Sequence, residues 1–89
     1  MPDDKAGPIV IAVLQRGFVY VGRRTVSATG TIVLSPSRCI RRWGTQRGLA
    51  QLRTGPTEST TMDDVGEIEY HPLMEVFRQP VSGEWGLDG

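Results

Sequence analysis

The sequence of 89 residues has one cysteine, one histidine and one lysine, and these shortages exclude several classes of protein. Because Cys39 stands alone, an internal disulfide is impossible and no zinc-ligand spacing exists. The longest apolar run, from Ile9 to Leu14, is far too short to cross a membrane as a helix. The first residues also lack the positive start and apolar stretch of a signal peptide. We therefore expect a protein of the reducing cytoplasm, without membrane contact.

Arginine supplies nearly all of the positive charge, and it is separated from the acidic residues along the chain. The formal net charge is zero, yet eight arginines and no acidic residue lie between Arg16 and Thr57. From Glu58 onwards eight residues are acidic, and Arg78 alone is basic. Arginine is suited to planar, bidentate recognition of phosphate or carboxylate. Codon bias from a GC-rich genome would produce the same excess of arginine over lysine, so composition alone leaves both explanations open.

The pattern of apolar residues predicts a mainly β (α+β) fold, a small antiparallel roll or barrel of about six strands with one short helix. Eighty-nine residues make one domain of modest core. Short β-branched runs separated by glycine or proline turns indicate the strands, at residues 9–15, 18–23, 31–34, 38–43, 67–71 and 73–77. The helix is predicted to begin at a Thr45 cap and to end at Gly55 and Pro56. Residues 55–66 are polar and are predicted to form an exposed loop.

These predicted elements divide the chain into three parts. We expect a flexible N-terminus over residues 1–8, a single β-rich domain over 9–79 and a loose C-terminal tail over 80–89. Alternating positions of the strands and the helix stripe give the predicted core, which consists of Ile9, Ile11, Val13, Leu14, Val19, Val21, Ile32, Leu34, Trp43, Leu49, Leu52, Ile68, Tyr70 and Val76.

Two segments of the chain, LQRGFVYVG at 14–22 and IRRWGTQRGL at 40–49, carry a resemblance to a known family. With Gly55-Pro56-Thr57 and an acidic, threonine-containing stretch before Gly66, they resemble a family of small proteins encoded by phages and prophages. The resemblance covers residues 9–78, and its most specific block is RRWGT at 41–45 followed by Gly48 and Leu49. It implies expression inside an infected or lysogenic bacterium. It implies no particular activity.

The passage from the fourth predicted strand into the helix is the best candidate for a binding site. A helix N-terminus offers unpaired N–H groups and partial positive charge, which suit phosphate or carboxylate. Arg41, Arg42 and Arg47 lie at or beside this corner. Gly44 would let the backbone approach a ligand closely, and the Trp43 indole offers a face on which a nucleobase can stack. The same residues could instead be a core tryptophan, a helix cap and solvated arginines. The candidate ligand-binding residues are Arg41, Arg42, Trp43, Gly44, Thr45 and Arg47.

We therefore predict a non-catalytic binding module for a phosphate-bearing ligand, nucleotide or nucleic acid. The alternative is a protein–protein interaction module, either a host-factor inhibitor or a self-assembling homo-oligomer whose charged halves dock head to tail. Nucleic-acid binding would be supported by a basic stripe along the first strands, at Arg23, Arg24, Arg38 and Arg42. Cross-strand pairs would neutralise it, with the carboxylates of Glu67, Glu69 and Glu75. No cofactor is expected, and Asp63, Asp64, Glu67 and Glu69 match no metal-binding motif. A Cys39–His71 hydrolase remains a third, weaker hypothesis.

Overall fold

The computed structural model describes residues 7–46 and 48–87, and within them the chain forms an open antiparallel sheet of five strands. The strands are β1 (Ile9–Leu14), β2 (Val19–Val26), β3 (Ile32–Arg42), β4 (Thr61–Tyr70) and β5 (Glu75–Pro80). The described residues contain three short 3-10 helices, at Gln15–Gly17, Leu49–Thr54 and Pro72–Met74. The mainly β class is thus confirmed, whereas the predictions of six strands and of a closed barrel are wrong.

The strand order is β4-β3-β2-β1-β5, so that β4 and β5 form the two edges of the sheet. Only residues 71–74 separate these edge strands along the chain. These residues form a tight turn, in which the Met74 N–H donates to the His71 carbonyl over 2.9 Å. Across the turn, the Tyr70 hydroxyl donates to Glu75 Oε2 over 2.8 Å. Because so short a link joins opposite edges, the sheet must curl until the end of β4 approaches the start of β5.

Each face of the sheet carries its own cluster of buried apolar side chains, to which β1, β2 and β3 contribute the strand residues. The inner face of the curl is the side that carries the buried residues Val10, Ala12, Leu14 and Leu34. The outer face carries Ile11, Val19, Val21 and Ile40. Since successive residues of a strand point to opposite faces, the continuous apolar run of β1 supplies both clusters. This matches the prediction that the run at 9–15 is a central strand.

Strand β3 is longer than the sequence predicts, because the chain continues through Pro36 as a strand. The predicted strands 31–34 and 38–43 are one element, with irregular register against β4 between Leu34 and Ser37. Ser37 is fully buried at this irregularity, and its hydroxyl donates to the Gly66 carbonyl over 2.8 Å. A Cβ at the neighbouring Gly22 would lie 2.8 Å from the Pro36 oxygen. The bulge therefore accommodates the proline, and glycine on β2 makes room for it.

The first residues of β4, of the 3-10 helix at Leu49–Thr54 and of β5 also differ from the predictions. The predicted loop at 55–66 ends early, because β4 begins at Thr61. The predicted helix at Thr45 is a 3-10 helix that begins at Leu49, after Gly48, and ends at Gly55 as expected. The last strand begins at Glu75, because Pro72–Met74 form a 3-10 turn capped by the His71 ring.

The C-terminal segment is packed against the outer face of the sheet, so the prediction of a loose tail at 80–89 is wrong for its described part. Trp85 is 2% exposed and Leu87 is 7% exposed, and both belong to the outer cluster with Leu52. The Trp85 indole N–H donates to the Ser82 carbonyl over 2.8 Å, which satisfies its polar atom within the core. Trp43, the predicted core aromatic, is 40% exposed instead.

Two other expectations concern the core and the N-terminus. Val76 was predicted to be buried, but it is 60% exposed on β5. The predicted flexible N-terminus lies mostly outside the described residues. Its last residue, Pro8, accepts a hydrogen bond from the Arg24 N–H over 2.9 Å, so the chain is already aligned with β2 there.

A candidate anion-binding corner

The chain turns sharply where β3 ends, and two threonine hydroxyls hold that turn. The Thr60 hydroxyl donates to the Trp43 carbonyl over 2.7 Å, and the Thr57 hydroxyl donates to the Gly44 carbonyl over 2.7 Å. Gly44 has a φ of 66°, and a Cβ there would lie 2.3 Å from the Ser59 carbonyl carbon. Gly44 was predicted to let the backbone approach a ligand. Instead, the absence of a side chain leaves space for the turn at residues 57–60 to pack against it.

The predicted helix terminus is absent from this corner. The Thr45 hydroxyl oxygen accepts a hydrogen bond from the Gly48 N–H over 3.1 Å, and the Gln46 N–H donates to Gln51 Oε1 over 3.1 Å. The 3-10 helix that follows has no side-chain cap. These backbone donors are already used inside the protein, and so short a helix offers no macrodipole. The part of the site hypothesis that relied on a helix N-terminus is therefore wrong.

Three consecutive predicted site residues, Arg41, Arg42 and Trp43, are exposed where β3 ends. Arg41 is exposed and forms an ion pair with Asp63 over 3.3 Å, in which the side chains are 60% and 52% exposed. Arg42 is also exposed, and its guanidinium has no hydrogen bond or ion pair within residues 7–46 and 48–87. Trp43, the next residue, is 40% exposed. Arg47 lies outside the described residues. Among the described residues, the corner thus offers the unpaired guanidinium of Arg42, the exposed and paired guanidinium of Arg41, and an aromatic ring.

The remaining arginines of the predicted basic stripe are not presented together on one open surface. Arg24 forms a bidentate ion pair with Glu75, with Nε–Oε2 at 3.1 Å and Nη2–Oε1 at 3.0 Å. Arg38 donates to the Trp85 carbonyl over 3.3 Å, and Arg23 donates to the Gly7 carbonyl over 3.3 Å. Each of these side chains is engaged with another segment of the fold. A continuous nucleic-acid surface across β2 and β3 is therefore not formed.

Glu75 is the acidic centre of a network on the inner face of the curl. Burial works to raise the pKa of Glu75, but hydrogen bonds from Arg24 and Tyr70, together with the charges of Arg24 and Arg78, outweigh it and lower that pKa. Burial, with the hydrogen bond to Glu75 next, raises the pKa of Tyr70. The prediction that Glu75 neutralises an arginine is confirmed, because Glu75 pairs with Arg24. The two residues lie on β2 and β5, which are not adjacent in the sheet. Glu67 and Glu69 make no ion pair within the described residues.

A second basic and aromatic surface, which the sequence analysis missed, lies along β5. A shallow groove of about 500 Å³ is lined by Arg53, Phe77, Arg78, Gln79 and Pro80. Arg53 comes from the 3-10 helix at Leu49–Thr54, which is held beside β5 by a hydrogen bond from Gln79 Nε2 to the Leu49 carbonyl over 2.8 Å. No sequence spacing signals this surface, because only the folded chain brings the helix to the strand.

The hypothetical Cys39–His71 pair is not assembled. Cys39 pairs with Asp63 across β3 and β4, whereas His71 follows Tyr70 on β4. Asp63 and Tyr70 are seven residues apart along β4, which corresponds to at most about 23 Å at roughly 3.3 Å per residue. The His71 ring nitrogen Nδ1 accepts the Leu73 N–H over 3.0 Å. Burial, with a smaller contribution from Asp63, raises the pKa of the Cys39 thiol, which disfavours a thiolate nucleophile.

Within residues 7–46 and 48–87 no group of three or more histidine, cysteine or acidic side chains is placed to hold a metal ion. In the same part of the chain no helix is both long enough and apolar enough to cross a membrane. Comparisons of the chain with protein-family models, with curated proteins and with solved structures found no match.

Proposed function

We propose that this protein is a non-catalytic binding module that recognises a phosphate-bearing ligand, a nucleotide or single-stranded nucleic acid, through Arg42 and Trp43. The observation that carries the proposal is that Arg42, whose guanidinium has no partner within residues 7–46 and 48–87, is followed by Trp43, which is 40% exposed on a braced turn. A guanidinium donates paired, charge-assisted hydrogen bonds to phosphate. Stacking of a base on an aromatic ring contributes about 1–3 kcal/mol.

Arg41 extends the proposed site. Its ion pair with Asp63 is exposed on both sides, and exposed pairs contribute only about 0–1 kcal/mol. A phosphate can therefore compete with Asp63 for this guanidinium at little cost. The turn at Trp43 and Gly44 is held by the hydroxyls of Thr57 and Thr60, so that the indole is positioned before the ligand arrives. Less conformational entropy is then lost on binding.

A phage or prophage origin and action in the cytoplasm of a bacterial host complete the proposal. They rest on the RRWGT block at residues 41–45, which is also where the proposed contacts lie. A small module of this kind would sequester or recognise its ligand.

The proposal is tested by measuring the binding of mononucleotides and of a short single-stranded oligonucleotide. The measurements are thermal shift and titration at several salt concentrations. A ligand at about 100 times its Kd stabilises the protein by about 2.7 kcal/mol. We expect Arg42→Ala and Trp43→Ala to weaken binding at least about tenfold, the loss of about 1.4 kcal/mol. Removing Arg42 should also reduce the salt dependence of oligonucleotide binding.

Arg16→Ala is the matched control, because Arg16 is equally exposed and lies at the turn between β1 and β2. It should leave affinity unchanged. Binding to mononucleotides alone would assign a nucleotide, whereas binding that grows with oligonucleotide length would assign single-stranded nucleic acid. The proposal is wrong if neither ligand stabilises the protein, or if Arg16→Ala weakens binding as much as Arg42→Ala does.

A further inference from the structure

The two edges of the sheet have opposite chemical character. Strand β4 exposes a row of carboxylates along one edge, at Asp63, Asp64, Glu67 and Glu69. Strand β5, at the other edge, exposes Val76 by 60% and Phe77 by 49%. Arg53 and Arg78 line the groove along β5 together with Phe77. Arg78 also pairs with Glu75 over 3.3 Å, but its side chain remains 51% exposed. One copy of the chain therefore carries both an acidic edge strand and a basic, apolar edge strand.

The hydrogen-bonding pattern of β5 leaves part of its backbone available at the edge. The Val81 N–H donates to the Ile9 carbonyl over 3.1 Å, next to the pair formed by Val10 and Pro80. Residues alternate along an antiparallel strand between facing the neighbour and facing away. The N–H and carbonyl groups of Arg78 therefore point away from β1 towards the open edge. Pro80 faces the same way, where its missing N–H costs no ladder hydrogen bond.

Positive charge lies on both sides of this edge. Arg78 pairs in register with Ala12 of the inner face, whereas the 3-10 helix that carries Arg53 packs its Leu52 into the outer cluster. The carboxylates of β4 are distributed in the same way, because the adjacent residues Asp63 and Asp64 point to opposite faces. An incoming β4 strand would thus meet a guanidinium on either face of the sheet.

We infer that the β5 edge receives the β4 edge of a second copy of this chain, so that the sheet continues from one copy into the next. Pairing of β4 with another β4 would oppose carboxylates, and pairing of β5 with another β5 would oppose guanidinium groups. Like charges directly opposite each other destabilise strand pairs. The β5–β4 contact instead joins opposite charges and covers Val76 and Phe77. This inference does not rest on the proposed anion-binding corner.

Such a contact joins two different surfaces and is therefore heterologous. Each copy keeps one unused edge, so that assembly continues into a ring or a chain unless an edge is blocked. Because the contact is electrostatic in part, raising the salt concentration should weaken it.

The experiment measures the mass of the full chain by light scattering and sedimentation over a range of protein and salt concentrations. Arg53→Glu blocks the β5 edge, and Glu67→Arg blocks the β4 edge. Each variant alone should be a monomer at concentrations where the wild type forms larger species. An equimolar mixture of the two should form larger species again, because the unmodified edges of the two variants match each other and the reversed charges at positions 53 and 67 are complementary.

Arg16→Glu and Glu84→Arg are the controls, since they make the same charge changes at exposed positions in neither edge strand. They should assemble as the wild type does. Circular dichroism establishes that the edge variants remain folded. The inference is overturned if the wild type stays monomeric at all concentrations, if the mixture of blocked variants stays monomeric, or if the controls disrupt assembly equally. Arg42→Ala should assemble normally, so failure of the anion site and failure of this inference are distinguishable.

Discussion

Arg24 and Glu75 are bonded to each other across the curl of the sheet, through the two nitrogen–oxygen contacts of a bidentate ion pair. The side chains are only 15% and 8% exposed. Fifty-one positions separate them in the chain, one in the arginine-rich half and the other in the acidic half. The Tyr70 hydroxyl and the Arg78 guanidinium also contact the Glu75 carboxylate, so that β2, β4 and β5 meet at this residue.

Replacing Glu75 by glutamine should lower the free energy of unfolding by about 3 kcal/mol, because it leaves the buried Arg24 charge without its partner. Asp63→Asn is the matched control, since it makes the same chemical change in an exposed ion pair that contributes about 0–1 kcal/mol. Urea unfolding of both variants measures the difference. Equal effects at the two positions would contradict the structural importance of the buried pair.

The contribution of Glu75 should also depend on pH in a defined direction. Its pKa is lowered in the folded protein, so the ionised form stabilises the fold above the ordinary glutamate value of about 4.3. That stabilisation is lost as the pH falls through the lowered pKa of the folded state. The difference in unfolding free energy between wild type and Glu75→Gln should therefore shrink on acidification below about pH 4. A difference that is constant with pH would exclude this linkage.

Trp85 should matter far more for stability than Trp43. Trp85→Ala removes a side chain that is 2% exposed and should cost about 3–5 kcal/mol. Trp43→Ala removes one that is 40% exposed and should cost about 0.5 kcal/mol or less. Denaturant unfolding, followed by circular dichroism so that loss of fluorescence does not interfere, compares the two. The reverse order would place the core tryptophan at the end of β3, as the sequence predicts.

Gly44→Ala should destabilise the protein more than Gly30→Ala, although both glycines have positive φ values, 66° and 92°. A left-handed conformation costs alanine about 1–2 kcal/mol at either position. At Gly44 the added methyl group would also overlap the backbone of Ser59, whereas nothing lies within 4 Å at Gly30. Overpacking adds about 1–3 kcal/mol. Thermal unfolding measures the difference, and equal losses would mean that the turn at residues 57–60 yields freely.

Much of the sheet could be predicted, because alternation and apolar runs report directly on which face a residue occupies. The β1–β2 hairpin and the central position of β1 follow from the residues themselves. Pro36 misled the prediction, because proline normally ends a strand and only the bulge beside Gly22 allows β3 to continue. The edge strand β4 is so rich in carboxylates that its first residues are indistinguishable from a polar loop.

The candidate site was harder to predict, because it depends on which tryptophan reaches the core. Both Trp43 and Trp85 lie in short segments rich in glycine and polar residues, and no local pattern distinguishes them. Trp85 packs into the outer cluster from the C-terminal segment, together with Leu87. Trp43 is left at the surface beside Arg42. The groove along β5 could not be predicted at all, since it joins Arg53 to Phe77 only through tertiary packing.

The placement of β1 between β2 and β5 has a consequence for the growing polypeptide. During synthesis, β1 can pair with β2 almost immediately, but its other side has no neighbour until Pro80 has left the ribosome. Until then an apolar strand offers unsatisfied backbone groups to any other nascent chain, which is a route to aggregation. A strand made later thus shields β1, and a ribosome that stalls before β5 would release a product prone to misassociation.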